Sequence, residues 1–191
     1  MKICVYCASS EKIDSKYFES TKAIAQIIAE AGVHVVFGGG HKGLMGQLAT
    51  STLQHGGKIT GIMPHFMKAV EWQHKGVEDF IFVEDMHERK KEFLVGTDAL
   101  LTLPGGCGTL EELLEAITLK RLGKFVKPII IFNQDGFYDP LIQMLDRCIE
   151  EKFMREEHRE IWTVITQPEQ LLDAIKNAVD WDESAINFAA V

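Results

Sequence analysis

Apolar residues occur along this chain in two alternating patterns, short continuous runs and longer stretches with helical spacing. The run Ile129-Ile130-Ile131 is apolar throughout, which is typical of a parallel strand that helices cover on both faces. Leu110, Leu113 and Ile117 instead recur at the spacing of one helix face. The alternation predicts an α/β fold, a doubly wound parallel sheet with helices on both faces and right-handed crossovers.

The predicted elements follow from these runs and from the glycines and prolines between them. The predicted strands cover Ile3–Ala8, Val33–Phe37, Lys58–Met63, Phe80–Val83, Ala99–Leu103, Pro128–Phe132 and Thr163–Ile165. The predicted helices cover Tyr17–Ala31, Leu44–His55, His87–Thr97, Thr109–Leu122, Leu141–Lys152 and Glu169–Val179. We expect residues 1–181 to form a single nucleotide-binding α/β domain and residues 182–191 to form a C-terminal tail.

The composition argues against several classes of function, namely nucleic-acid binding, membrane insertion and metal or redox chemistry at cysteines. The 191 residues carry a net charge of −8, whereas a general nucleic-acid binder is more often basic. No apolar run approaches the ~18 residues of a membrane span. The apolar stretch at the N-terminus ends after a few residues, which is too short for a signal peptide. We therefore expect a cytoplasmic protein that binds neither nucleic acid nor membrane. Cys4 and Cys7 form a CxxC inside a predicted strand; buried thiols are favoured over a metal or redox site.

The first glycine-rich junction runs from Gly38 to Gly46. It follows a predicted strand, opens a helix and formally matches G-x-G-x-x-G, but the next strand ends without the acidic residue of a dinucleotide site. Lys42 is followed by glycine, so a Walker A loop is absent as well. These departures argue against NAD and against a P-loop.

The second junction is Pro104-Gly105-Gly106-Cys107-Gly108-Thr109. Both junctions follow strands, so both are expected at the carboxyl edge of one sheet, where open α/β sheets bind ligands. Because glycine has no side chain, a ligand can come close to the backbone N–H groups there, and a helix N-terminus favours an anion. The alternative is that the glycines only make tight turns. Two such loops on one edge favour a phosphate site.

Two charged residues beside these loops have alternative interpretations. Thr109 and Glu112 fit a capping box, with threonine at the N-cap and glutamate at the third helical position. Like charges repel, so a carboxylate next to a phosphate site also suggests chemistry near the phosphate-bearing group. Arg89, in the first turn of another predicted helix, could bind phosphate or pair with a carboxylate. Lys90 beside it fits a solvated charged face.

The sequence PGGCGTLEE at residues 104–112 resembles the signature PGGxGTxxE, and MHERK at 86–90 resembles its companion motif. GGGHKGLMG and YCASS match further blocks in the same order, so the resemblance runs from about Lys2 to Phe153. The chain thus resembles the Lonely Guy family of cytokinin riboside 5′-monophosphate phosphoribohydrolases. The resemblance implies a Rossmann-like fold, a homodimer or a higher oligomer, and no cofactor. It implies hydrolysis of the N-glycosidic bond of an adenosine 5′-monophosphate, with or without an N6 substituent, to free base and ribose 5-phosphate.

The resemblance also implies roles for residues at matching positions. Arg89 and Glu112 would be the catalytic pair. The phosphate would be held by Gly105, Gly106, Gly108 and Thr109, aided by Gly39 and Gly40. Further residues expected around the substrate are Ser9, Ser10, Met86, Lys90 and Cys107, the last standing where the family often has tyrosine or phenylalanine. Glu71 is a candidate for contacting the exocyclic amine of the base, with a solvated surface position as the alternative.

Three other functions compete with this one. Two phosphate-cradling loops also fit a non-catalytic nucleotide or molybdenum-cofactor carrier, although Glu112 together with Arg89 favours an enzyme. Many family members carry the label lysine decarboxylase, but a pyridoxal enzyme needs a Schiff-base lysine in a much larger framework. A structural or signalling partner is the third alternative.

Overall fold

A parallel sheet forms the centre of the computed structural model, which describes residues 1–69 and 73–189. Its strands are β1 Lys2–Tyr6, β2 His34–Phe37, β3 Ile59–Pro64, β4 Asp79–Val83, β5 Ala99–Thr102, β6 Ile129–Phe132 and β7 Trp162–Ile165. They stand in the order β4-β3-β2-β1-β5-β6-β7, and each adjacent pair is parallel. The predicted doubly wound α/β class is confirmed.

Helices cover both faces of the sheet. They are α1 Ser15–Glu30, α2 Gly43–Gln54, α3 Met86–Leu94, α4 Cys107–Arg121, α5 Asp139–Glu150 and α6 Leu171–Lys176. One apolar cluster joins α1, α2 and α6 to one face, and a second joins α3, α4 and α5 to the other. Strand residues alternate between the clusters, so that Val5 packs in the first and Tyr6 in the second. This is why the central strands are apolar at every position.

The order of the strands fixes where a ligand is expected to bind. The chain runs outward from β1 to β4, returns to β5 on the other side of β1, and then runs outward to β7. The direction therefore reverses between β1 and β5, which pair from Ile3–Ala99 to Tyr6–Thr102. In open α/β sheets, the crevice at the carboxyl ends of two such strands is the usual binding site.

Element bounds differ from the predictions at several ends. β1 stops at Tyr6 rather than Ala8, because the chain there leaves the sheet toward the carboxyl-edge crevice. The last predicted helix is shorter, a 3₁₀ turn followed by α6. In the tail, Glu183–Phe188 forms a 3₁₀ helix, and the Phe188 ring lies 5.7 Å from that of Trp181.

Two general features bear on the predicted class of protein. None of the helices in the described part of the chain combines the length and the apolar character that a membrane span requires. Within residues 1–69 and 73–189, no group of three or more His, Cys, Asp or Glu side chains is placed to hold a metal ion. Cys4 of the CxxC is buried and Cys7 is half-buried.

Candidate active site

A cavity of about 310 Å³ opens between the carboxyl ends of β1 and β5. Its volume lies at the lower end of the range of small-molecule sites. Its walls come from the end of β1 and the following loop, from the first glycine-rich junction, from α3, and from the start of α4. The lining residues are Val5, Tyr6, Cys7, Ala8, Ser9, Ser10, Gly38, Met45, Arg89, Phe93, Gly106, Cys107, Gly108, Thr109 and Glu112.

Glu112 is a nearly buried carboxylate in this cavity. Its side chain is 12% exposed, and its Oε1 lies 3.9 Å from Nη1 of Arg89. The predicted capping box is wrong, because α4 begins at Cys107 and Gly106 is its N-cap, without a side-chain cap. Thr109 is therefore the third residue of the helix and Glu112 the sixth, too far along for a capping role. Of the two interpretations of Glu112, only the carboxylate facing the cavity fits this geometry.

Arg89 reaches the same cavity from α3, and buried contacts fix its guanidinium. Nε donates to the carbonyl of Ile62 at 3.1 Å, and Nη2 donates to the carbonyl of Gly38 at 3.0 Å. The guanidinium carbon lies 5.1 Å from the centre of the Phe93 ring. Ile62 lies in the carboxyl half of β3, and Gly38 directly follows β2, so the sheet itself sets the direction of the guanidinium.

The start of α3 is fixed by a side-chain cap. Asp85 accepts hydrogen bonds from the backbone N–H groups of His87 and Glu88, each at 2.8 Å. These bonds favour the ionised carboxylate and lower the pKa of Asp85. Because the cap determines where the helix begins, it also determines that Arg89 falls in the first turn, beside the cavity.

The second glycine-rich junction leaves open space at the start of α4. A Cβ on Gly106 or Gly108 would meet no atom within 4 Å, and both residues line the cavity with exposed Cys107 and buried Thr109. Gly105 lies behind them, where a Cβ would come within 3.0 Å of the Thr109 side chain. The first turn of a helix has N–H groups without intrahelical partners. These N–H groups and the open space together can accept an anion.

The first glycine-rich junction has a different structure. The N–H groups of Leu44 and Met45, at the start of α2, donate to the carbonyl of Ala8 at 2.9 and 3.2 Å. Gly39 and Gly40 do not contribute to the described cavity wall. A Cβ on Gly39 would lie 2.8 Å from the Phe80 ring, and one on Gly40 would lie 2.9 Å from Cε of Met45. This helix start is therefore closed by the protein's own backbone and side chains.

The remaining expected residues divide between the cavity and its surroundings. Ser9 and Ser10 line the cavity, whereas Met86, the half-buried first residue of α3, does not contribute to the described wall. Lys90 pairs with Glu111 at 2.5 Å and with Glu115 at 2.8 Å, and these carboxylates raise its pKa.

Lys90 therefore joins α3 to α4 through these two ion pairs, and it does not lie on a solvated face. It is outside the described cavity wall. Glu71 lies outside the described residues.

The sequence predictions gave no site role to four residues of the cavity wall, Tyr6, Gly38, Met45 and Phe93. Tyr6 is buried in the cavity wall, and its ring meets that of Phe93 edge-on at 5.5 Å. Burial and, to a smaller extent, the nearby Cys4 and Glu112 raise the pKa of Tyr6, so its hydroxyl stays protonated. Its place at the end of a predicted strand in the YCASS block was the available signal.

Known proteins resemble this chain over most of its length. Residues 45–175 match a family model described as "Possible lysine decarboxylase". The cytokinin riboside 5′-monophosphate phosphoribohydrolase LOG of Oryza sativa subsp. japonica is 38% identical over 87% of this chain and 68% of its own length. A cytokinin riboside 5′-monophosphate phosphoribohydrolase of Arabidopsis thaliana is 36% identical over 93% of this chain and 84% of its own. The chain belongs to the Lonely Guy family.

Solved structures share the fold of this Lonely Guy protein at lower identity. The molybdenum cofactor binding protein from Rippkaea orientalis superposes with a TM-score of 0.70 at 21% identity, covering 92% of this chain and 94% of that one. The molybdenum cofactor carrier protein from Chlamydomonas reinhardtii gives 0.70 at 17% identity, covering 93% and 96%. At such identities the likeness establishes the Rossmann-like fold alone.

Proposed function

We propose that this Lonely Guy protein hydrolyses the N-glycosidic bond of an adenosine 5′-monophosphate, with or without an N6 substituent. The products are the free base and ribose 5-phosphate. The observation that carries the proposal is the nearly buried carboxylate of Glu112, which lies beside Arg89 in a cavity that also contains an open helix N-terminus. The names of the plant relatives support the same reaction.

The 5′-phosphate binds at the start of α4. The open space at Gly106 and Gly108 admits phosphate oxygens to the first-turn N–H groups, and the helix dipole favours their charge. Ser9 and Ser10 line the same cavity and offer hydroxyl donors. Binding energy at the phosphate positions the sugar for attack, so a nucleoside without phosphate is a much poorer substrate.

Glu112 performs the chemistry at the sugar. Cleavage of the glycosidic bond develops an oxocarbenium-like C1′, which a nearby carboxylate stabilises. The carboxylate also takes a proton from water as the water oxygen bonds to C1′, while the bonding electrons of the broken C–N bond leave with the base. That proton then passes to the base through solvent, which restores the carboxylate of Glu112. Arg89, whose Nη1 lies 3.9 Å from Oε1 of Glu112, holds the carboxylate in place.

A pyridoxal reaction does not fit the residues present. A pyridoxal enzyme binds its cofactor through a lysine, and no lysine lines the cavity in the described part of the chain. Lys90, on the helix that carries Arg89, is paired with two carboxylates. The family-model description therefore does not name the chemistry of this site.

The test is release of free base, measured by chromatography, from a panel of nucleoside 5′-monophosphates and the matching nucleosides. We expect release from monophosphates, and a fall on the order of 10²–10³ in kcat for Glu112→Gln. Glu111→Gln is the matched control, because Glu111 adjoins Glu112 but lies outside the described cavity wall. Its own side chain is 55% exposed, and Lys90 keeps its pair with Glu115, so we expect little change in kcat.

Two outcomes would contradict the proposal. Equal rates on adenosine and AMP would remove the role of the phosphate site. Tight retention of a nucleotide by folded protein without any base release would identify a carrier.

A further inference from the structure

We infer that Gly38 is a positioning residue for the reaction, because its lack of a side chain makes the space that the guanidinium of Arg89 occupies. The inference rests on the proposed function, in which Arg89 holds Glu112. It assigns the first glycine-rich junction a purpose other than phosphate binding.

Space, not backbone conformation, requires glycine at this position. The φ angle of Gly38 is not positive, so its backbone is open to other residues. A Cβ on Gly38 would come within 3.0 Å of Nη2 of Arg89 and would lie 3.6 Å from its guanidinium carbon. It would also lie 2.9 Å from Sδ of Met45, a side chain that can shift.

The contact at Gly38 decides where the rest of the guanidinium points. Among the described residues, Nε donates to the carbonyl of Ile62 and Nη2 donates to the carbonyl of Gly38. This pair of bonds fixes the plane of the fork and leaves Nη1 toward Glu112 at 3.9 Å. A methyl group at position 38 would displace Nη2 and break the second bond, so the fork would turn away from the carboxylate.

We expect the fold to tolerate such a displacement. The obstructed atom is the end of a long side chain, which can move without the backbone. We therefore expect Gly38→Ala to fold, to bind the 5′-monophosphate with a KM within about threefold of wild type, and to lose on the order of 10² in kcat, the size of effect that follows a misplaced group. A wild-type kcat in the folded variant would overturn the inference.

A double-mutant cycle separates positioning from a general packing effect. In the Arg89→Met background the obstruction at Nη2 is gone, so adding Gly38→Ala is expected to cause no further fall in kcat. Multiplicative losses would show that Gly38 acts independently of Arg89 and would overturn the inference. If Gly38→Ala alone does not fold, recovery of the thermal midpoint of Arg89→Met in the double variant supports the inference, and failure to recover overturns it.

A readout without turnover keeps this test separate from that of the proposed function. The buried Nε–H of Arg89 gives a side-chain signal in ¹H–¹⁵N NMR spectra, assigned by its loss in Arg89→Met. We expect Gly38→Ala to shift or broaden that signal, whereas an unchanged signal would overturn the inference. If wild-type protein released no base from any nucleotide, the proposed function would fail while this measurement still decided the role of Gly38.

Discussion

The two glycine-rich junctions look alike in sequence and differ in structure. In the first junction, protein atoms already occupy the space that a Cβ would need at each glycine. Arg89 faces Gly38, the backbone of Ser9 faces Gly43, and the carbonyl of His41 faces Gly46. In the second, Gly106 and Gly108 face open space in the cavity wall. A run of glycines therefore indicates close approach, but only the surroundings show whether the approaching group belongs to the protein or to a ligand.

The helix starts differ in the same way. The N–H groups at the start of α2 donate to the carbonyl of Ala8, so the chain supplies its own acceptor. The start of α4 has Gly106 as a cap without a side chain and opens into the cavity. An added anion would have to break the backbone hydrogen bonds to Ala8 in order to bind at the start of α2, whereas at the start of α4 it would not. This difference yields three predictions, and the ion pairs that join α4 to α3 yield a fourth; they follow from the largest effect to the smallest.

The largest effect is expected for Gly46→Ala. Alanine normally favours a helix over glycine by about 1 kcal/mol, but here the new Cβ would overlap the carbonyl oxygen of His41. We expect a net loss of about 2 kcal/mol or more in the free energy of unfolding, measured by urea denaturation. Gly108→Ala is the matched control, since it gains the same helix propensity without an overlap. Equal urea midpoints for the two variants would contradict the distinction between the junctions.

Gly108→Ala is expected to impair binding rather than folding. Its methyl group would extend into the space assigned to the phosphate, and a loss of 1.4 kcal/mol in binding corresponds to a tenfold weaker affinity. We expect KM for AMP to rise on the order of tenfold, with the urea midpoint equal to or above that of wild type. If KM stays unchanged, the open space is not where the phosphate binds.

Cys107 offers a chemical probe of the second junction. It is exposed at the start of α4 between two cavity glycines, so a bound phosphate group would cover it. In Glu112→Gln, which is expected to turn over AMP slowly, AMP at about four times its Kd should slow alkylation of Cys107 by iodoacetamide about fivefold, as measured by mass spectrometry. Cys148 on α5 is outside the described cavity wall and serves as the internal control. Equal slowing at both cysteines, or at neither, would count against the assigned site.

The smallest effect concerns the attachment of α4 to α3. Lys90→Met removes the pairs with Glu111 and Glu115, and we expect a loss of up to about 1 kcal/mol in unfolding free energy. The pKa of Lys90 is raised in the folded state, so this stabilisation is present below the ordinary pKa of 10.5 and disappears as the pH rises through the folded-state value. Thermal midpoints of the two proteins should therefore differ at pH 8 and converge above pH 10.5. A difference that persists at high pH would mean that Lys90 acts through packing.

The sequence predicted the fold better than it predicted the site. Apolar strands such as Ile129–Phe132 predict a sheet that is buried on both faces. The second glycine-rich junction follows β5, and β5 lies next to β1 in the sheet. The sequence predicted the start of α4 at Thr109, because threonine is a common N-cap residue. The helix instead begins at Cys107, and its N-cap, Gly106, has no side chain that could be recognised in the sequence. The neighbours of Gly38 and Lys90 lie far away in sequence, so their contacts became visible only in the folded chain. The homodimer and the domain boundary at residue 181 stay predictions.

The hydrogen bonds of Arg89 also make the site dependent on the assembly of the sheet. Its guanidinium bonds to Ile62 of β3 and to Gly38 directly after β2, while Glu112 lies on the helix that follows β5. Strand β1 stands between β2 and β5. The pair forms only when these four parallel strands lie side by side, and such non-local pairings are slow to form during folding. Recovery of activity after dilution from denaturant should accordingly follow the slowest folding phase, later than the recovery of helical circular dichroism.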